Sequence, residues 1–320
     1  MDSARPADLS SAFVKTRRGL LGDILRNPAS YLLALPAIAY TLAFSYLSYP
    51  YLLMAFQRFN YRRNIWNAEY IGLTNFQFFF RANYAYTITW NTLKLNTLFI
   101  VFTTVVALLL ALMLNELASK RFVKVSQSTM VFPTYLSWVV VSYMLFGIFS
   151  MEYGLLNRVL VRLGGEAINW YIRAEAWPAI LTGMRVWKGA GLNAVIFLAA
   201  IAAIDDTLYE AASIDGASRW QRAWTITLPL IAPTVAILTL MAIGRIMYGD
   251  FGMIYALIGD NGPLYPTTDV IDTYVYRALR KVGDPAEATA IGLFQSAVGF
   301  VMVIGANTLT RKLFPEGALY

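Results

Sequence analysis

Four cations stand within or at the edge of apolar runs of this 320-residue chain: Lys94, Arg185, Lys188 and Arg245. A charge held centrally in hydrocarbon costs roughly 2.5–3.5 kcal/mol on insertion scales, so each asks for a partner or a task. Lys94 can snorkel to a surface and needs neither. Arg185 and Lys188 are three residues apart and share a helix face. Lys188 lies sixteen residues before Ile204, and Arg245 sixteen after Pro229. At about 1.5 Å per helical residue, both sit about 24 Å from the same end of their runs. Three cations around one cavity would hold an anionic solute through charge-assisted hydrogen bonds. The nearest acid is Asp250, so two readings stand side by side: an Arg245–Asp250 ion pair, or contact of Arg245 with substrate. Trp187, Tyr248, Phe251 and Tyr255 suit stacking on sugar faces and core packing equally.

Other chemistry is poorly provided for. The chain has neither Cys nor His, which removes thiolate nucleophiles, imidazole bases, disulfides and the common zinc, haem and iron–sulfur ligand sets. The best acidic group is Asp269, Asp272, Asp284 and Glu287, but Asp284 and Glu287 are spaced to cap a helix rather than to hold a metal. No G-x-x-x-x-G-K-[ST] phosphate loop occurs, so the chain does not cradle nucleotide by that route. We assign the chain no catalytic residue, no metal site and no cofactor of its own.

The elements that must position these residues are membrane helices. Hydrophobic residues make up 58% of the chain and charged ones 14%, against roughly 45–50% and about 25% in soluble domains. That shift identifies lipid as the solvent. Runs of about 20 apolar residues cross the hydrocarbon, and six are read, at 31–56, 95–114, 128–149, 177–204, 229–248 and 287–309. Their length and Leu/Ala/Val content favour helices over barrel strands. The expectation is an all-α integral membrane protein with six transmembrane helices. A basic N-terminal segment, 1–30, precedes a transmembrane domain, 31–320.

Both termini are expected on the cytoplasmic side of a bacterial inner membrane. The basic flank of the first run, with Arg5, Lys15, Arg17, Arg18 and Arg26, leans that way, as does a slight Lys/Arg excess in the loops this places inside. The net charge of +7 is accounted for by that bias, so no nucleic-acid partner is called for.

The segment 205–228, between the fourth and fifth runs, is too charged for lipid. Asp205 or Thr207 can cap a short helix, Asp206 and Glu210 lie near its positive end, and Gly216 permits a turn or a close approach. Glu210-Ala211-Ala212, three residues, Gly216, nine residues, Ile226, one residue, Leu228-Pro229 resembles the EAA signature of binding-protein-dependent ABC importer permeases. The resemblance implies the type I importer permease fold. It also implies that Tyr209, Glu210, Ala211, Ala212, Asp215 and Gly216 belong to a cytoplasmic coupling helix that docks on an ATPase subunit.

The likeness runs along nearly the whole chain. Asn169-Trp170, Trp187-Lys188, Gly249-Asp250-Phe251-Gly252, 268–277 and 290–296 look like the polysaccharide and oligosaccharide subgroup that includes the alginate importer. This implies a second permease subunit forming a heterodimer, two ATPase subunits carrying ATP and Mg, and an extracytoplasmic sugar-binding protein. The cargo would be an oligosaccharide, with a uronate suggested by the cations, and Arg185, Trp187, Lys188, Arg245, Tyr248 and Asp250 would line its path. The alternatives are a membrane-embedded polysaccharide-handling enzyme, which needs clustered carboxylates, and a self-sufficient secondary transporter, which typically shows internal repeats.

Overall fold

The computed structural model describes residues 26–81, 83–117 and 119–313, without the side chains of 78–81, 83 and 313. The basic segment 1–25 lies outside the described residues. In chain order the α-helices are α1 (Pro28–Thr41), α2 (Thr74–Arg81), α3 (Asn83–Asn115), α4 (Lys120–Val131), α5 (Trp138–Phe149), α6 (Leu155–Arg162), α7 (Trp177–Ile201), α8 (Asp206–Ile214), α9 (Arg219–Arg222), α10 (Leu228–Ile243), α11 (Phe251–Ile258), α12 (Tyr265–Thr268), α13 (Ile271–Arg277) and α14 (Pro285–Leu313).

The chain divides into two compact units, up to Leu53 and from Met54 onward. In the first, α1 buries none of its residues and carries Pro36 in its interior. An apolar surface on every side, as at Leu32 and Leu33, suits lipid rather than water.

Among the described residues, five helical stretches are long and apolar enough to span a membrane: Pro28–Phe56, Tyr84–Asn115, Ala174–Ile201, Arg219–Ile243 and Pro285–Lys312. The expected third span, 128–149, is not one helix. Lys120–Tyr135 and Trp138–Phe149 meet at 98°, and counting that broken pair as one span gives six. Pro133 sits in a tight 3₁₀ turn after α4, Leu136 is extended, and Ser137 restarts the chain as α5 by accepting the Val140 amide at 3.3 Å. The fifth span also ends early, at Ile243 rather than Tyr248. Short turn bonds from the amides of Arg245, Ile246 and Tyr248 then carry the chain to α11.

Packing in the second unit is close where small residues meet. Ala107 and Ala111 of α3 and Ala190 and Ala194 of α7 share one buried cluster with Phe197 and Ile231. In lipid, helix contacts rest on close approach and van der Waals packing more than on hydrophobic drive, so alanine seams are a natural basis for α3–α7 pairing. A second cluster joins Val141 and Leu145 of α5, Trp177 and Leu181 of α7, and Met253, Ile254 and Leu257 of α11.

Candidate functional site

The charged loop folds as its sequence suggests. Asp205 caps α8, its Oδ1 accepting the Thr207 amide at 2.9 Å. That bond holds the Asp205 carboxyl below its ordinary range, because it favours the ionised form. Asp206 lies in the first turn, where the helix dipole favours negative charge. The helix ends at Gly216, whose φ of +78° is left-handed and suits glycine, and Ser218 with Gln221 forms a capping box that starts α9.

Two side-chain bonds tie α8 to α9 and to the turn that follows it. The Tyr209 hydroxyl meets Thr227 Oγ1 at 2.9 Å, and Arg222 Nη1 donates to Ser213 Oγ at 2.8 Å. Of the six residues expected to couple to an ATPase, Tyr209 and Ala212 are half-buried, whereas Glu210, Ala211, Asp215 and Gly216 are exposed. Ile214 is 88% exposed beside them, so α8 has one anchored side and one free side carrying an apolar knob and an acid.

Within the membrane, α3, α7, α10 and the Gly244–Asp250 turn surround a cavity of about 440 Å³, lined among others by Asn96, Asn193, Arg185, Arg245, Tyr248 and Asp250. Four of the six residues expected on a substrate path are therefore brought together. Of the two readings of Arg245, the Arg245–Asp250 ion pair is not made. Asp250 Oδ2 accepts from Arg185 Nη1 at 2.8 Å, and its Oδ1 caps α11 through the Met253 amide at 3.0 Å. Both carboxylate oxygens are thus taken, and Arg245 has no acidic partner among the described residues. Arg245 sits in the turn after α10, on the cavity wall.

Two expected path residues fall elsewhere. Lys188 Nζ donates to the carbonyls of Pro133, Thr134 and Leu136 at 3.2, 2.7 and 2.6 Å, and it lies 5.2 Å from the Trp138 ring centroid. Its charge closes the C-terminal end of the α4 arm at the 98° break, where carbonyls lack helical partners and a cation is favoured. Trp187, 41% exposed, is not among the residues lining the cavity. Phe251 and Tyr255 stack at 5.1 Å, and both contact the Tyr276 ring. They belong to an aromatic cluster, leaving Tyr248 as the aromatic residue from that group on the cavity wall.

The acidic group considered for enzyme chemistry is dispersed. Asp269 pairs with Arg277 and Tyr84, Asp284 caps α14 through the amides of Ala286 and Glu287, and Glu287 accepts from Tyr274 at 2.8 Å.

Residues 103–314 match the family described as binding-protein-dependent transport system inner membrane component. The chain belongs to this family. It is similar to the polygalacturonan/rhamnogalacturonan transport system permease protein YteP of Bacillus subtilis strain 168, at 35% identity over 301 residues, 94% of this chain and 93% of the relative. A crystal structure of a bacterial ABC transporter involved in the import of the acidic polysaccharide alginate matches with a TM-score of 0.85 at 34% identity, covering 92% of this chain and 99% of that one. A bacterial alginate ABC transporter in complex with an alginate pentasaccharide-bound periplasmic protein matches with 0.83 at 34% identity, covering 92% and 98%. The fold is thus that of ABC importer permeases. The permease is a multi-pass transport component of the inner membrane, not an enzyme, and ATP hydrolysis belongs to separate subunits.

Sequence reasoning missed the residues that hold the cavity turn. The permease unwinds at 244–250, so backbone groups are freed inside the membrane and must find partners. Asn96 donates to the carbonyls of Ile246 and Tyr248 at 2.8 and 3.1 Å, and Gln295 to that of Met247 at 2.7 Å. Asp272 Oδ2 accepts from the Gly249 amide at 2.6 Å and from Gln295 at 3.1 Å. A Cβ at position 249 would lie 2.7 Å from Val270 Cγ2, so a larger residue would have to push Val270 aside. The available signal was two amide side chains, Asn96 and Gln295, inside apolar runs.

Proposed function

We propose that the permease passes acidic oligosaccharides, built on uronate units, into the cytoplasm. The carrying observation is the cavity's charge: Arg185 is balanced by Asp250, and Arg245 is balanced by no acid among the described residues. A sugar carboxylate there gains a charge-assisted hydrogen bond, while Asn96, Asn193 and Tyr248 offer polar and aromatic contacts to hydroxyls and ring faces. The relatives named for polygalacturonan and alginate point to the same class of cargo.

The remaining parts follow the importer plan. A second permease completes the pathway as a heterodimer, and two ATPase subunits with ATP and Mg power it. A sugar-binding protein delivers cargo from outside. The free side of α8, with Glu210, Ala211 and Ile214, docks on an ATPase subunit, which puts that loop and both termini in the cytoplasm.

Arg245→Gln tests the cargo class in the full transporter in proteoliposomes. Uptake of a uronate tetrasaccharide should fall at least tenfold, and uptake of its carboxyl-reduced, neutral counterpart should fall much less. Equal loss of both would defeat the acidic-cargo reading.

A further inference from the structure

Two unopposed arginines would hold an acidic sugar tightly, and a transport path needs binding weak enough to release. Asp250 is placed to prevent such trapping. Its Oδ2 sits 2.8 Å from Arg185 Nη1, and its Oδ1 is held 3.0 Å from the Met253 amide at the start of α11. The helix cap therefore keeps the carboxylate within reach of Arg185 when a sugar enters the cavity. A competitor tethered in this way acts at a high effective concentration.

We propose that Asp250 is a specificity-determining residue that competes with the sugar carboxylate for Arg185, setting how tightly an acidic oligosaccharide is held and how readily it leaves. This rests on the acidic-cargo reading above. Arg245, with no acid opposite it, makes first contact with the carboxylate. Arg185 is won only by displacing Asp250, and on release Asp250 closes back onto it. A neutral oligosaccharide offers no carboxylate and leaves the Arg185–Asp250 pair in place.

The test uses Asp250→Asn in the purified complex of both permeases and the ATPase subunits. Asn caps helices about as well as Asp, so α11 keeps its start and the competing charge is lost. The probes are a uronate tetrasaccharide and its carboxyl-reduced counterpart, titrated calorimetrically. Asp250→Asn should bind the acidic probe about tenfold more tightly, the worth of one charge-assisted contact, and the neutral probe within twofold of wild type. Uptake of the acidic probe in proteoliposomes should slow as its release slows. Adding Arg185→Gln should abolish the gain in affinity. Asp250→Ser, also a good cap, serves as the second variant should Asp250→Asn not assemble.

Unchanged or weaker acidic binding in a folded Asp250 variant would overturn the proposal, as would a gain that survives Arg185→Gln. A wild-type complex that binds both probes alike would remove the acidic-cargo reading itself and this inference with it.

Discussion

Replacing Lys188 by Met separates a structural cation from a transporting one. Met keeps the length of the side chain and removes its three hydrogen bonds to the carbonyls of Pro133, Thr134 and Leu136. Pro133 retains a second donor in the Leu136 amide at 3.2 Å, so the loss falls chiefly on two carbonyls. A buried acceptor left without a donor costs about 1–3 kcal/mol, which puts the gross cost at about 2–6 kcal/mol. Relief from desolvating an ammonium offsets part of this, and a net loss of about 2–3 kcal/mol is expected. Thermal unfolding of the detergent-purified complex should show it as a clear drop in midpoint. Among molecules that remain folded, the ratio of acidic to neutral uptake should match wild type. A stable Lys188→Met variant that had lost acidic uptake selectively would refute the reasoning, because Lys188 would then face the cargo instead of the helix break.

Three further outcomes are expected. Asp272→Ala removes the acceptor of the Gly249 amide, so it should lower uptake of acidic and neutral sugars together, with a stability loss of about 1–3 kcal/mol, measured by paired transport and unfolding assays. Gly216→Leu forces a side chain into a left-handed backbone, and Glu210→Lys reverses charge on the free side of α8. Both should leave sugar capture intact while weakening ATPase association or sugar-stimulated hydrolysis, and wild-type stimulated hydrolysis in both would remove α8 from the coupling role. Ser213→Cys, the sole cysteine in such a variant, should react with an impermeant thiol reagent in inside-out vesicles and not in intact cells.

Local signals were legible in the sequence. Asp205 caps α8, Gly216 ends it in a turn, and Pro229 lies at the start of α10. Asp284 caps α14, although Glu287 reaches Tyr274 rather than completing a capping box. Each of these is decided within a few residues by backbone geometry. What was hidden depends on partners far along the chain. Asp250 lies five residues from Arg245 yet pairs with Arg185, 65 residues away. The break after Pro133 is completed by a lysine 55 residues on, and an apolar run carries no sign of that. Arg245 was misplaced for a related reason: the early end of α10 is stabilised by Asn96 and Gln295 from other helices, so hydropathy alone extended the fifth span through the turn.

The alanine seam between α3 and α7 has a consequence for the transport cycle. With Ala107 and Ala111 against Ala190 and Ala194, these helices have little side-chain volume to rearrange, and parting them would forfeit van der Waals contact outright. They are thus expected to keep their spacing through the cycle and to form a fixed wall of the cavity.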